Sequence, residues 1–172
     1  MCLAHREGEE HALGIDDLLV DRIRRATSVR FVCSGNVVRS AFAELMARHL
    51  GLDVEVDSVA TTYIHESVFP ETRHALLSRG VPGEAVDDFR PRRLDRITGD
   101  ACDPGRLVLA MTGDHRVQYE NSRGGGESCH LMMELLGSQE DLADPVLDGV
   151  AFDATFRVLE RSVRALIAVR TP

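Results

Sequence analysis

Cys33-Ser34-Gly35-Asn36-Val37-Val38-Arg39-Ser40 stands between two segments of different periodicity. Before it lies the short apolar run Val29-Arg30-Phe31-Val32, and after it comes Ala41-Phe42-Ala43-Glu44-Leu45-Met46-Ala47-Arg48-His49-Leu50, which reads as an amphipathic helix. A cysteine therefore sits at a strand end, followed by a tight loop and a helix N-terminus. The first N–H groups of a helix lack internal partners, and the dipole there favours negative charge, so the geometry suits an anion. Arg39 adds a planar fork able to grip two phosphate oxygens. Gly35 lets the backbone turn close to a ligand, Asn36 tolerates a left-handed conformation, and Ser40 sets a hydroxyl where it can reach the loop.

A cysteine followed six residues later by arginine is weak by itself. With 4 Cys and 20 basic residues, all Arg, in 172 positions, chance supplies roughly half of one such pair. The full string with its strand and helix is much rarer, and it outweighs the plain alternative of a buried cysteine at a strand end.

On these residues the chain resembles the low-molecular-weight protein-tyrosine phosphatases, whose pattern is a strand, Cys-x-Gly-Asn-x-x-Arg-Ser, and a helix containing Ala-Glu, here Ala43-Glu44. Further resemblances follow in order. They are Val56-Asp57-Ser58-Val59-Ala60-Thr61 after a second strand, Leu107-Val108-Leu109-Ala110-Met111-Thr112 as a third, and Asp144-Pro145 where the family carries its Asp-Pro loop. The resemblance runs from about Val29 to Val169. It implies the phosphotyrosine phosphatase I-like fold and a phosphorylated protein or small aryl phosphate as substrate, with no cofactor and no metal.

A chain of 172 residues is long enough for one domain with a sizeable core. Its charge of −8 argues against nucleic acid and anionic membrane as partners. No apolar run is long enough to span a bilayer. The first residues lack the basic-then-apolar order of a secretory signal. Cysteines at 2, 33, 102 and 129 have neither metal spacing nor the density of a disulfide framework, so a reducing, cytoplasmic compartment is expected. The concentrated basic stretch Arg90-Pro91-Arg92-Arg93, with Arg96, reads as a solvated helix start, or more sharply as a rim for a phosphorylated partner.

Residues 1–28 form an extension, with 29–172 as the phosphatase-like domain. Ile15, Leu18, Leu19 and Ile23 recur at helical spacing, so an extra N-terminal helix is expected where the family usually begins almost at its first strand. The first dozen residues, rich in Glu and Gly, are expected to be disordered. Further strands are expected over 54–58, 106–111 and 128–133, and helices over 71–79, 92–97, from 114 onward, and from Phe152 through Ile167. Ser122-Arg123-Gly124-Gly125-Gly126 reads as a loop. Alternating strands and helices predict an α/β fold: a doubly wound, four-stranded parallel sheet with ligands bound beyond the strands' carboxyl ends.

The chemistry follows from the loop. A thiol beside a cation and a helix N-terminus is readily ionised, and the Cys33 thiolate could attack phosphorus directly. Arg39 would hold the equatorial oxygens of the transition state, and Ser40 would assist departure of the sulfur. Ser34, Gly35, Val37 and Val38 complete the substrate-binding loop, and Asn36 holds its conformation. One carboxyl group can protonate the leaving oxygen and later activate water. Asp144, in a long loop before the last helix where the resemblance places the family's Asp-Pro, is the expected acid; Asp103-Pro104-Gly105 reads as a turn, and Asp148 is a weaker candidate.

Departures from the family pattern are also legible. Ala41 stands where Pro is usual, Val38 where many members carry a second cysteine, and Val146-Leu147 where aromatic residues commonly line the pocket. Tyr63 or Ile64 is expected to form the opposite wall. His65 and His74 read as surface or cap residues, and Met132 and Met133 as core. Three competing functions remain in view: arsenate reduction, which needs two relay cysteines absent from 112–119; a non-catalytic phosphoprotein-binding module; and a phosphoarginine-directed relative, for which Val37 lacks an expected small polar side chain.

Overall fold

Strand β1 (Ser28–Cys33) is buried along all six residues, as a central strand covered on both faces must be. A computed structural model of the chain describes residues 14–97 and 102–171. Strand β1 pairs in parallel with β2 (Glu55–Ala60) on one side and β3 (Arg106–Ala110) on the other, and β3 pairs in parallel with β4 (Ser128–Leu131). The sheet order is β2-β1-β3-β4. Cys33 stands opposite Ala60, and Val32 opposite Ala110, so three strands end level with one another at the carboxyl edge.

The period-two alternation of β1 divides the interior. Val29, Phe31 and Cys33 join a large apolar cluster, while Val32 joins a smaller one with Val59, Val108, Ala110 and Tyr119. Helices α1 (Asp17–Arg25), α2 (Arg39–His49) and α6 (Phe152–Arg170) contribute Leu19, Ile23, Phe42, Met46, Phe156, Leu159 and Val163 to the large cluster, and α3 (Pro70–Ser78) adds Ala75 and Leu76. Helix α5 (Gly113–Arg123) covers the other face with Tyr119. The doubly wound parallel sheet expected from the sequence is therefore present.

The expected N-terminal helix is present too. Asp16 caps α1 by accepting from the Leu18 N–H at 2.8 Å, and Arg170 ties the far end of α6 to the Ala26 carbonyl at 3.0 Å. The disorder expected for the first dozen residues concerns a segment outside the described residues.

One element is not anticipated from the sequence, and three local expectations need correction. A short helix α4 (Gly83–Asp87) follows α3; five residues starting after Pro82 are too few for a periodic signal. The helix expected over 92–97 is only a 3₁₀ turn, Leu94–Arg96. Strand β4 stops at Leu131 and passes into a 3₁₀ turn, Met132–Leu136, where Met132 is fully buried and Met133 only partly. Helix α5 continues through Ser122 and Arg123, ending where Gly124 takes the left-handed conformation at φ 73°.

Arg30, read only as part of an apolar run, is almost wholly buried. Its fork donates to Asp57 through Nε at 2.8 Å and Nη2 at 2.5 Å, a bidentate pairing that a buried guanidinium requires.

Candidate active site

The loop 33–39 curls beyond the end of β1 with Cys33 at its base, and the Cys33 side chain is buried. Two donors reach the sulfur. The Asn36 N–H donates to Sγ at 3.3 Å, and the Ser40 hydroxyl lies 2.9 Å from it. Asn36 is the one described non-glycine residue with positive φ, at 56°, and its amide shows why this backbone is tolerated. Nδ2 donates to Ser40 Oγ at 2.9 Å and to Ser58 Oγ at 2.6 Å, while Oδ1 accepts from the Arg92 N–H at 2.9 Å. With Ser40 Oγ accepting from Asn36, its hydroxyl proton is available to a Cys33 thiolate.

Behind this sits Glu44, buried in α2. It accepts from Ser58 Oγ and pairs with Arg48 at 2.6 Å. Burial raises the Glu44 pKa above the usual carboxylate value, against the lowering influence of Ser58 and Arg48. The basic stretch has a share in the same scaffold. Arg92 supports the loop through Asn36 and also lies 3.5 Å from Asp57, whereas Arg90 donates to the Asp87 and Phe89 carbonyls and Arg93 pairs with Asp95. The stretch does not start an α-helix, and Arg92 supports the loop through its main-chain N–H while its side chain remains 44% exposed.

Helix α2 begins without a side-chain cap, since Val38 at its N-cap has no acceptor to give. The Arg39 guanidinium is buried and stretches across to the Asp-Pro segment, donating from Nη1 to the Leu142 carbonyl at 2.8 Å and from Nη2 to Asp144 Oδ2 at 2.6 Å. Asp144 is fixed further by its own turn. Its Oδ1 accepts from the Val146 N–H at 3.0 Å, and its N–H donates to Asp148 at 2.6 Å. Asp148 thus braces Asp144.

Asp103 lies at the opposite end of the sheet, leading into β3. Its side chain accepts from the Gly105 N–H at 2.8 Å and its carbonyl from the Arg106 N–H at 2.9 Å. The structure therefore brings Cys33, Arg39 and Asp144 together and leaves Asp103 in a turn.

A cavity of about 200 Å³ opens above Cys33. Its base is formed by Cys33, Ser34, Gly35, Val37, Val38 and Arg39; Tyr63, His65 and Phe69 form one wall and Asp144, Val146 and Leu147 the other. Of the two residues expected for the opposite wall, Tyr63 lines this cavity, and Ile64 faces a neighbouring groove. His65, read as a surface residue, packs directly on Gly35: a Cβ there would lie 3.1 Å from His65 Nε2. His74 lines a groove elsewhere, with Phe152 and Phe156.

The reading of the sequence passed over His115. This side chain is buried in the first turn of α5, with Nε2 2.8 Å from Ser34 Oγ and Nδ1 2.9 Å from Thr112 Oγ1. Burial and then the charge of Arg39 push its pKa down to about 4, against Asp144, Asp114 and Asp141. The unfolded chain takes up this proton near the ordinary value of 6.5, and the folded chain only near 4. Between those values the unfolded state holds more protons, so stability is lost as pH falls through the window. Urea unfolding at pH 7 and pH 5 is expected to show a His115 contribution of about 2 kcal/mol, removed in His115→Gln.

The sequence model of the low molecular weight phosphotyrosine protein phosphatases matches residues 28–170. The chain belongs to this family. It is 26% identical over 145 residues to the low molecular weight protein-tyrosine-phosphatase PtpB of Staphylococcus haemolyticus, covering 83% of this chain and 97% of that one. The fold is similar to that of the tyrosine phosphatase AmsI of Erwinia amylovora, with a TM-score of 0.70 at 21% identity over 83% of this chain and 92% of that one. It is similar also to YwlE of Bacillus subtilis, with a TM-score of 0.62 at 27% identity over 83% and 97%. As a member of this family the chain is a phosphatase of the cysteine-nucleophile class.

Proposed function

We propose that the chain hydrolyses phosphomonoesters, with phosphotyrosine in proteins as its substrate class, through a phosphocysteine formed on Cys33. The observation carrying this is the convergence of a buried, doubly hydrogen-bonded Cys33 sulfur with Arg39 and Asp144 around one cavity. The phosphoryl group sits over Sγ, with the loop N–H groups of 34–39 and the Arg39 fork around its equatorial oxygens. Sγ attacks phosphorus as the ester oxygen leaves with the proton of Asp144. The Asp144 carboxylate then takes a proton from water, which attacks phosphorus and releases Sγ and inorganic phosphate. Ser40 donates to the departing sulfur. The apolar walls at Tyr63, Phe69 and Val146 suit an aryl ring rather than a hydroxylic side chain.

Arsenate reduction finds less support. Cys129 lies in β4, and burial pushes its thiol up to about 12, too high for a relay thiolate. Cys102 bonds to the Gly125 carbonyl at 3.3 Å, just ahead of the turn that leads into β3. The chemistry needs a reduced Cys33, consistent with a cytoplasmic setting. Among the described residues no helix is long and apolar enough to cross a membrane.

The test compares turnover of p-nitrophenyl phosphate with that of phosphotyrosine, phosphoserine and phosphoarginine peptides. Hydrolysis of the first two, with phosphoserine resistant, is expected. YwlE is described as an arginine phosphatase, so preferential release from phosphoarginine would move this chain to that substrate, and no turnover of any of them would leave it a binding module.

A further inference from the structure

His115 belongs to neither the loop nor the Asp-Pro segment, yet it is hydrogen-bonded to Ser34 at the base of the cavity. Its two ring contacts suit one assignment of protons. Thr112 caps α5 by accepting from the His115 N–H at 3.2 Å. The Thr112 hydroxyl proton is then available to His115 Nδ1, at 2.9 Å. In a neutral imidazole one ring nitrogen donates and the other accepts. With Nδ1 accepting, Nε2 carries the proton and donates to Ser34 Oγ at 2.8 Å. Ser34 then still has a hydroxyl proton to give, and Ser34 is one of the residues lining the cavity above Cys33. The acceptor that fits this position is an anion bound there.

We propose that His115 is a positioning residue that orients the Ser34 hydroxyl so that its proton is donated to the phosphoryl group held over Cys33. This rests on the phosphomonoesterase reading above. The groups facing the imidazole besides Ser34 and Thr112 are Arg39, Asp144, Asp114 and Asp141. The loop thus has a second support: Asn36 holds it from the β2 side, and His115 holds it from the β3–α5 side.

The test is calorimetric titration with inorganic phosphate, together with kcat and KM for p-nitrophenyl phosphate, in His115→Phe, His115→Gln, Ser34→Ala and the Ser34→Ala/His115→Phe double variant. A hydrogen bond to a charged group carries enough free energy for at least about a tenfold change in affinity. His115→Phe and Ser34→Ala are each expected to weaken phosphate binding and raise KM by about that factor. The double variant is expected to lose no more than either single one, because both remove the same contact. Gln, whose amide nitrogen can take the place of Nε2, restores binding; a purely space-filling role would instead be satisfied by Phe.

Should the Phe variant fail to fold, Ser34→Ala and the imidazole ¹⁵N shifts of the wild-type protein decide the matter. The expected species at pH 7 is the neutral Nε2–H tautomer. Phosphate bound equally well by Ser34→Ala, or an Nδ1–H tautomer, overturns the inference. The titration is repeated in Cys33→Ser protein, where no turnover is needed, so failure here is distinct from failure of the phosphatase reading itself.

Discussion

Cys33→Ser is expected to lower p-nitrophenyl phosphate hydrolysis by at least about 10⁴-fold, the scale seen when a nucleophile is removed from a pre-built site, while inorganic phosphate or vanadate still binds. The reason is geometric. Sγ sits at the base of the cavity with Ser40 and the Asn36 N–H on it, and no other described cysteine approaches. Cys102 is exposed near Gly125, and Cys129 is on β4. The proposed anion contacts come from the loop backbone and Arg39, which this change leaves in place. Stopped-flow turnover and a phosphate titration on the same preparation check both halves. A variant retaining more than a small fraction of wild-type turnover would remove Cys33 from the nucleophile's role.

Asp144→Ala is expected to cost about 10²–10⁴-fold, the usual worth of general acid catalysis, and the loss should depend on the leaving group. Nitrophenolate departs with little help, whereas an unsubstituted phenolate or an alkoxide needs the proton. A series of aryl phosphates under single-turnover conditions should therefore give a steep dependence on leaving-group pKa in this variant. Asp103→Ala serves as the comparison. Its carboxylate holds the Gly105 N–H in a turn, so the dependence should match that of the wild type, with stability alone reduced. The reverse pattern would mean that the acid has been assigned to the wrong Asp-Pro.

These residues were legible in the sequence because their signals are local. Cys33, Asn36, Arg39 and Ser40 fall within eight consecutive positions, and the change from strand to helix periodicity around them fixes where the loop lies. Asp144 needs more: its expected role rests on the resemblance of Asp144-Pro145, before the last helix, to the family's Asp-Pro loop. His115 had no such signal. A lone histidine on an amphipathic helix reads as surface, and its partner Ser34 is 81 positions away. The same limit hid His65 against Gly35 and Arg92 against Asn36. Arg30 was absorbed into an apolar run because the carboxylate that justifies its burial is on the neighbouring strand. What the sequence withheld is largely pairing between elements, which sequence order does not encode.

The 2.6 Å contact between Arg39 and Asp144 carries a consequence for how any anion enters. The guanidinium already has a counter-ion, supplied by its own chain. With Arg39 in its proposed role, admission of a ligand is an exchange of one negative partner for another. A singly charged visitor such as chloride or acetate gains little over the carboxylate it would displace, so such ions should be poor inhibitors. A phosphate dianion brings more charge and two oxygens for the fork. In that exchange the Asp144 carboxylate leaves Arg39 beside the ester oxygen, where it must take up a proton from solvent before it can serve as the proposed acid, so recognition of the right charge and freeing of that carboxyl group become one event.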